Sequence, residues 1–492
     1  MAVPIVLLGL LAMGTARGDT YYVWINSPAD GPGTAWSNAF HTIQGAISIA
    51  ADGDTVLVTN GVYDSGATMT PGYSSLNRLV ITNSINVRSV NGPDVTIIVG
   101  AQASGGGNGD DAVRGVYMSA GVLSGFTITN GHTMTTDDWD YDRAGGGINM
   151  CGGNGMASNC TISGNSAGDY GGGSAYGTLN DSTLSCNSAM NGGGSYYVAL
   201  YNCRIADNSA IVGGGSYQST LNNCMLTGNS ASYYGGGSVV GTLINCTLFG
   251  NSANQYGGGS IGGVLRNCIS YSNTAGTSGD NWYAATPDIS YTCTTPDPGG
   301  TGNITNDPQL VNALSENYRL SYGSPCIDAG NNAFMHTMID LDGNVRIVDG
   351  DTNGAATVDM GAYEYERSLY DSDGDGLTDG AEVDVYRTNP LNNNTDGDLC
   401  SDFEEFIADT DGSDSNDYFR IDTVSNILPE ALFFESSAFR HYTLQGCANL
   451  AAGGWTNVPG AGPRVGMGGW DSLEDTNRPP IGPFYRLVVE LQ

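Results

Sequence analysis

Gly235–Tyr256 reads GGGSVVGTLINCTLFGNSANQY, and the same unit recurs on both sides of it. Gly triplets open at Gly145, Gly171, Gly192, Gly213, Gly235 and Gly257, with intervals of 21, 21, 22 and 22 residues from Gly171 onward. On that beat Leu179, Leu200, Leu221, Leu243 and Leu265 form one column, and Ser182, Cys203, Cys224, Cys246 and Cys268 a second. Ile162, Leu184, Ile205, Leu226 and Leu248 form a third, which breaks at Ser270. A unit this short cannot bury its own apolar face, so neighbouring units must stack. Each coil then adds one rung, about 4.8 Å, with main-chain hydrogen bonds between coils and like residues superposed. Apolar columns point inward and polar columns occupy the turns. Two Asn columns fit the turns: Asn159, Asn202, Asn223, Asn245 and Asn267, with Asp181 substituting, and Asn165, Asn187, Asn208, Asn229, Asn251 and Asn273. Asn accepts left-handed backbone, and stacked amides bond along a column.

Composition agrees. The chain has 492 residues, enough for two to four domains, and 74 are Gly, which suits short strands and tight turns better than helices. Only 13% of residues are charged, yet the net charge is -34 and every basic residue is Arg. Such a surface repels nucleic acid and anionic lipid, and a polyanionic substrate equally. The apolar run Val3–Met13, followed by Gly14, Ala16 and Gly18, reads as a secretory signal over residues 1–18, without the usual basic n-region. No later apolar run has the length of a membrane helix.

These repeats resemble the right-handed parallel β-helix proteins of the pectate-lyase superfold. The units are similar to polymorphic outer-membrane-protein repeats, with Leu/Ile-x-x-Asn (Leu226 to Asn229) in place of Phe-x-x-Asn and Gly-Gly-Gly-Ser in place of Gly-Gly-Ala-aliphatic. Ala39–Gly66 reads as a short amphipathic helix, Asp-Gly-Asp and a strand, the start of such a β-helix with a capping helix over its open edge. Asn306–Glu366 resembles the closing region of bacterial β-helix surface proteins. The resemblance implies one all-β solenoid over 19–366, single-stranded with 21–22 residues per coil, and leaves activity open. Eleven Cys leave at least one without an intrachain partner. The stacked Cys read as reduced, since parallel Cβ vectors one rung apart do not suit a disulfide, while Cys293–Cys326 and Cys151–Cys160 stay open as bridges.

The densest chemistry lies at DSDGDGLTDGAE, Asp371–Glu382. Asp371, Asp373, Asp375, Gly376 and Glu382 fit D-x-[DN]-x-[DN]-G-x5-E, a calcium loop built from alternating hard oxygens. The Leu377 carbonyl and Asp379 complete the expected shell. A second copy starts 23 residues later with Asn394, Asp396, Asp398, Asp402 and Glu405, but with Leu399 at the Gly position, which predicts a weaker site. Residues 367–417 hold these loops. The alternative is a solvated acidic run, against which stand the regular spacing and the recurring Leu377, Val383, Leu399 and Phe403. The tandem resembles thrombospondin type 3 repeats, which implies a calcium-stiffened linker. Residues 418–492 alternate as strands between Gly/Pro turns and read as a small β-sandwich.

For function, two readings stand. Between Asp19 and Asp288 there are six Arg and seventeen Asp, so no basic groove for a polyuronate lyase can be drawn. The insertion HTMTTDDWDYDRA offers Asp137, Asp138, Asp140 and Asp142 as glycosidase carboxylates, with Trp139 as a sugar platform; the plainer reading is a hydrated excursion. Tyr176, Tyr196 and Tyr217, beside the Gly triplets, form either a glycan-binding strip or a self-stacking column. The leading expectation is a secreted or cell-surface, non-catalytic scaffold, adhesin or glycan binder meeting extracellular glycans or cell-envelope components. The rival is a carbohydrate-active enzyme.

Overall fold

The computed structural model describes residues 18–425, 430–447, 454–476 and 484–491; the secretory segment expected at 1–18 lies outside them except for Gly18. Among the described residues no helix is long and apolar enough to cross a membrane. The chain divides into two compact units. One comprises the residues up to Pro308 together with Pro325–Glu364, and the other Gln309–Ser324 with Tyr365–Gln492. The Asn306–Glu366 segment is therefore shared between them.

The first unit is a right-handed parallel β-helix. Three long sheets run its length: eleven strands from Thr20–Val23 to Asp288–Ser290, ten from Gly61–Tyr63 to Cys293–Thr294, and ten from Thr68–Met69 to Trp282–Tyr283. A five-stranded sheet, Ser188–Asn191 to Thr274–Ala275, flanks them. The register reproduces the repeat: Leu179, Leu200, Leu221, Leu243 and Leu265 pair in succession. Ile162, Leu184, Ile205, Leu226 and Leu248 do so in the second sheet, ending at Ser270. Both columns sit in one buried core with the stacked Cys. Gly triplets are needed where backbones nearly touch: a Cβ on Gly214 would lie 2.4 Å from the Ser230 carbonyl oxygen and 2.6 Å from that of Gly236.

The two Asn columns differ. Asn159, Asn202, Asn223, Asn245 and Asn267, with Asp181, all have φ between 48° and 56°, the left-handed turn that Asn tolerates. The second column also lies in turns between successive strands, as expected, but its side chains are buried. Asn187 N and Nδ2 both donate to Asn208 Oδ1 (3.0 and 2.9 Å), and Nδ2 also donates to the Ile162 carbonyl (2.8 Å). Asn165, Asn208, Asn229, Asn251 and Asn273 repeat this, so every buried amide is satisfied along an unbroken chain ending on Asn281 Oδ1.

The N-terminal edge is closed as expected. Helix α1 (Ile43–Ile47) buries Ile43, Ala46 and Ile47. Its Gln44 amide imitates a strand: Val80 N donates to Oε1 (2.8 Å) and Nε2 donates to the Val80 carbonyl (3.3 Å), occupying the edge of Leu76–Ile81. Residues 325–364 run as a strap back along the outer Asn turns. Asn267 pairs with Asn331, Arg346 donates to Asn223 Oδ1, and Ala362 N donates to Thr247 Oγ1. Arg346 and Glu364 pair within this strap, fully buried. The stacked Cys carry free thiols, as expected. So do Cys151, Cys160 and Cys293, and neither bridge left open by the sequence is formed. The Cys293 thiol turns to the Asn306 carbonyl.

In the second unit, antiparallel sheets of three strands and four strands share a core of Leu432, Phe434, Tyr442, Leu444, Val458, Ala461 and Leu473, a small β-sandwich. Arg440–Cys447 is its central strand, pairing with three others.

Candidate metal centre and aromatic face

The two acidic loops are one structure used twice. Helix α2 (Asp379–Ala381), continued through Glu382–Tyr386, follows the first loop, and helix α3 (Asp402–Ala408) follows the second. Gly374 N and Gly376 N donate to the two Asp371 oxygens (2.7 and 3.0 Å), and Gly397 N donates to Asn394 Oδ1 (2.7 Å). Asp373 and Asp396 each accept from the N–H two residues on, as do Asp375 and Asp398. These turns bring Asp371, Asp373 and Asp375 together in one loop and Asp396, Asp398 and Glu405 in the other, with carboxylate oxygens within 4.8 Å of one another.

What those turns leave over is decisive. Asp373 Oδ2, Glu382 Oε2, Asp396 Oδ2, Asp398 Oδ2 and Glu405 Oε2 are buried without a hydrogen-bond partner, although a buried acceptor left unpaired is costly. Glu382 and Glu405 are wholly inaccessible to solvent. Unpaired hard oxygens converging in pairs of loops fit a divalent cation with an oxygen shell. Residues 371–393 match the bacterial TSP3 repeat. No curated protein sequence matches the chain. Among solved structures it is similar to a pectate lyase (14% identity, 72% of this chain and 98% of that one, TM-score 0.40). It is also similar to a rhamnogalacturonan lyase (13%, 56% and 68%, TM-score 0.29) and to a pectin methylesterase in complex with a hexasaccharide (17%, 55% and 78%, TM-score 0.24).

Two of the expected ligands have another job. Asp379 accepts from Ser372 N (2.8 Å) and from the Ser372 and Tyr365 hydroxyls (2.7 Å each). Asp402 accepts from Thr395 N and Oγ1 (2.8 Å each). Both carboxylates brace the loop entrance. Leu377 has its side chain buried in the loop, while Leu399 is 86% exposed in the place of Gly376, whose φ is +113°. A third cluster, outside the residues expected from the sequence, joins Asp328, Asp349 and Asp351. Its signal was Asp349-x-Asp351-x-Asn353-Gly354, the same opening pattern with Met360 where the closing Glu would stand.

Without a cation, burial and then neighbouring carboxylates push Glu382 up to about 8 and Glu405 to about 7; burial raises Asp373 to about 6. Raised carboxyls make the ion-free loops most stable below about pH 4, the unfolded range. That stability is lost as pH rises through about 6 at Asp373 and about 8 at Glu382. A bound cation reverses the preference, because it competes with protons for the same oxygens. We therefore expect proteolysis within 371–417 in a chelator to quicken as pH rises from about 5 to about 9, and to stay flat with saturating calcium.

The 132–143 loop is held from inside. Asp142 accepts from Ser74 N (3.1 Å), Ser75 N (2.9 Å) and Asp138 N (3.2 Å), and Asp138 accepts from Asp140 N and Tyr141 N (3.0 Å each). Buried Arg114 donates to the Tyr141 carbonyl (2.6 Å). Asp137 is exposed in a left-handed turn, and the Tyr176 hydroxyl donates to Asp140. Among the described residues the three acidic clusters all lie elsewhere, so the loop does not gather its carboxylates into one group. It does place Trp139, 56% exposed, under Arg143 at 4.2 Å and 6.2 Å from the Tyr170 ring. From there Tyr170, Tyr196 and Tyr217 stack at 4.3 and 5.7 Å, with Tyr176 over Tyr197 alongside at 6.2 Å. Rung-to-rung stacking is thus real, and Tyr170, Tyr196 and Tyr217 are half-buried in it.

Proposed function

We propose that this chain is an exported, non-catalytic β-helix scaffold that presents the ladder Trp139–Tyr170–Tyr196–Tyr217 to extracellular or cell-envelope glycans and holds its acidic linker rigid with calcium. The observation that carries the binding role is the ladder itself. Rings already fixed on successive rungs lose little entropy on meeting a sugar chain. Asp138 and Asp142 support the non-catalytic reading, since their oxygens accept from backbone N–H groups of their own loop and, for Asp142, of Ser74 and Ser75. The net charge of -34 favours neutral polysaccharides over polyanions, nucleic acid among them. In the linker, Asp371, Asp373, Asp375, the Leu377 carbonyl and Glu382 would hold one calcium, and Asn394, Asp396, Asp398 and Glu405 a second, the ion supplying the counter-charge for the buried carboxylates.

Binding to a panel of neutral and acidic polysaccharides tests this. Tyr196→Ala and Tyr217→Ala are each expected to weaken binding about threefold to tenfold, the scale of one aromatic contact. The enzyme reading keeps one specific support, the hydrogen bond from Tyr176 to Asp140 beside Trp139. Turnover of a bound polysaccharide that Asp140→Asn abolishes would replace the scaffold by a glycosidase.

A further inference from the structure

The calcium loops and the C-terminal β module meet at α3 (Asp402–Ala408), whose two ends are fixed by different partners. Seven residues are too few for a helix to persist unaided in water. At its first turn α3 carries Glu405 of the second carboxylate cluster, and its Phe403 N donates to Asp375 Oδ2 (3.0 Å) of the first loop. At its other end Arg440, the first residue of the module's central strand, donates Nε to the Ile407 carbonyl and Nη2 to that of Phe406 (2.6 Å each). The guanidinium stands 5.6 Å from the centre of the Phe406 ring and 3.5 Å from Asp409, the left-handed residue that ends the helix. Asp409 also accepts from the Ser437 hydroxyl.

We infer that α3 is a calcium-dependent latch: it docks the C-terminal β module through Arg440 while both loops are loaded, and releases it when they are empty. This rests on the calcium reading above. In the ion-free state Asp396, Asp398 and Glu405 repel one another within 4.8 Å. The first turn of α3 then has no reason to stay wound, and the Phe406 and Ile407 carbonyls leave the geometry Arg440 reads. Linkage makes the coupling reciprocal. Arg440 belongs to neither carboxylate cluster, yet removing it costs the loops part of their calcium affinity, because the ion alone must then order the helix.

The test uses the full chain, calcium chloride and two readouts. Calorimetric titration of Arg440→Gln is expected to show one of the two calcium sites weakened about tenfold, within the usual range of coupling energies. Hydrogen exchange in Phe406–Asp409 is expected to rise when the wild type is chelated while Tyr442–Cys447, paired within the sandwich, stays protected; in Arg440→Gln those helix residues exchange faster than in the wild type at the same calcium concentration. Phe406→Ala, which leaves the module's sequence intact, should act in the same direction and guards against misfolding at Arg440. Unchanged calcium affinity in both variants, with the sandwich core still protected, overturns the latch and leaves the calcium sites standing. Failure of the wild type to bind calcium overturns both.

Discussion

Replacing Asn229 by Ala is expected to destabilise the β-helix by about 3 kcal/mol, since a buried group left unpaired costs about 1–3 kcal/mol. Three bonds are lost at once inside the stack, those of Asn208 N and Nδ2 to Asn229 Oδ1 and that of Asn229 Nδ2 to the Ile205 carbonyl, while Asn208 Nδ2 keeps the Leu184 carbonyl. Truncation also removes the link between the amides above and below, so the loss falls on a cooperative chain. The control is Asn202→Gly in the outer column. Asn202 has φ 54°, a conformation Gly adopts without strain, and its side chain donates to Asp181 (3.1 Å) and accepts from Asn223 Nδ2 (2.8 Å), which keeps the Ile339 carbonyl when Asn202 is replaced. Calorimetric unfolding should therefore show a marked loss for Asn229→Ala and a small one for Asn202→Gly. Equal effects would mean that the buried ladder contributes nothing beyond its backbone turn.

Withdrawing calcium is expected to accelerate proteolysis between residues 371 and 417 at least a hundredfold while the β-helix stays folded. Each ion present at 100 times its Kd adds about 2.7 kcal/mol to the state that binds it. Two ions therefore suppress local opening by far more than a hundredfold. The energy resides in the orphaned oxygens of Asp373, Glu382, Asp396, Asp398 and Glu405, which a cation would pair. The solenoid core draws instead on the Leu and Ile columns, which chelation does not touch. A cleavage rate indifferent to chelator, measured at neutral pH, would remove calcium from the account of the linker. Glu382→Gln, expected to reproduce much of the chelated pattern in the first loop, separates loss of the ion from any side effect of the chelator.

The columns were legible because stacking makes period and contact the same thing. Leu221 must touch Leu200 and Leu243 if the beat is physical, and it does. The burial of Asn229 was not legible: an amide is polar in any sequence, and only the chain of neighbouring amides makes an interior place for it. Nor was the strap. Its contacts join Arg346 to Asn223 and Ala362 to Thr247 across more than a hundred residues, with no periodicity to announce them. In the linker, the motif carries the carboxylates that converge, but not the bonds that tie Asp379 and Asp402 into their loops. Their partners, Ser372 and Thr395, sit at positions the calcium pattern leaves blank. In the 132–143 loop the acids were visible, whereas their capture by Ser74 and Ser75 N–H groups, from a coil laid down much earlier, was not.

The return path of residues 325–364 decides how the β-helix meets a pulling force. A stack of coils tugged from its last rung peels one rung at a time, each ladder failing alone. Here the polypeptide leaves the unit at Glu364, pinned by Arg346 to the coil of Asn223 and, through its neighbour Ala362, to that of Thr247. Tension arriving at Glu364 is thus shared by the coils of Asn223 and Thr247 and does not fall on the last rung alone.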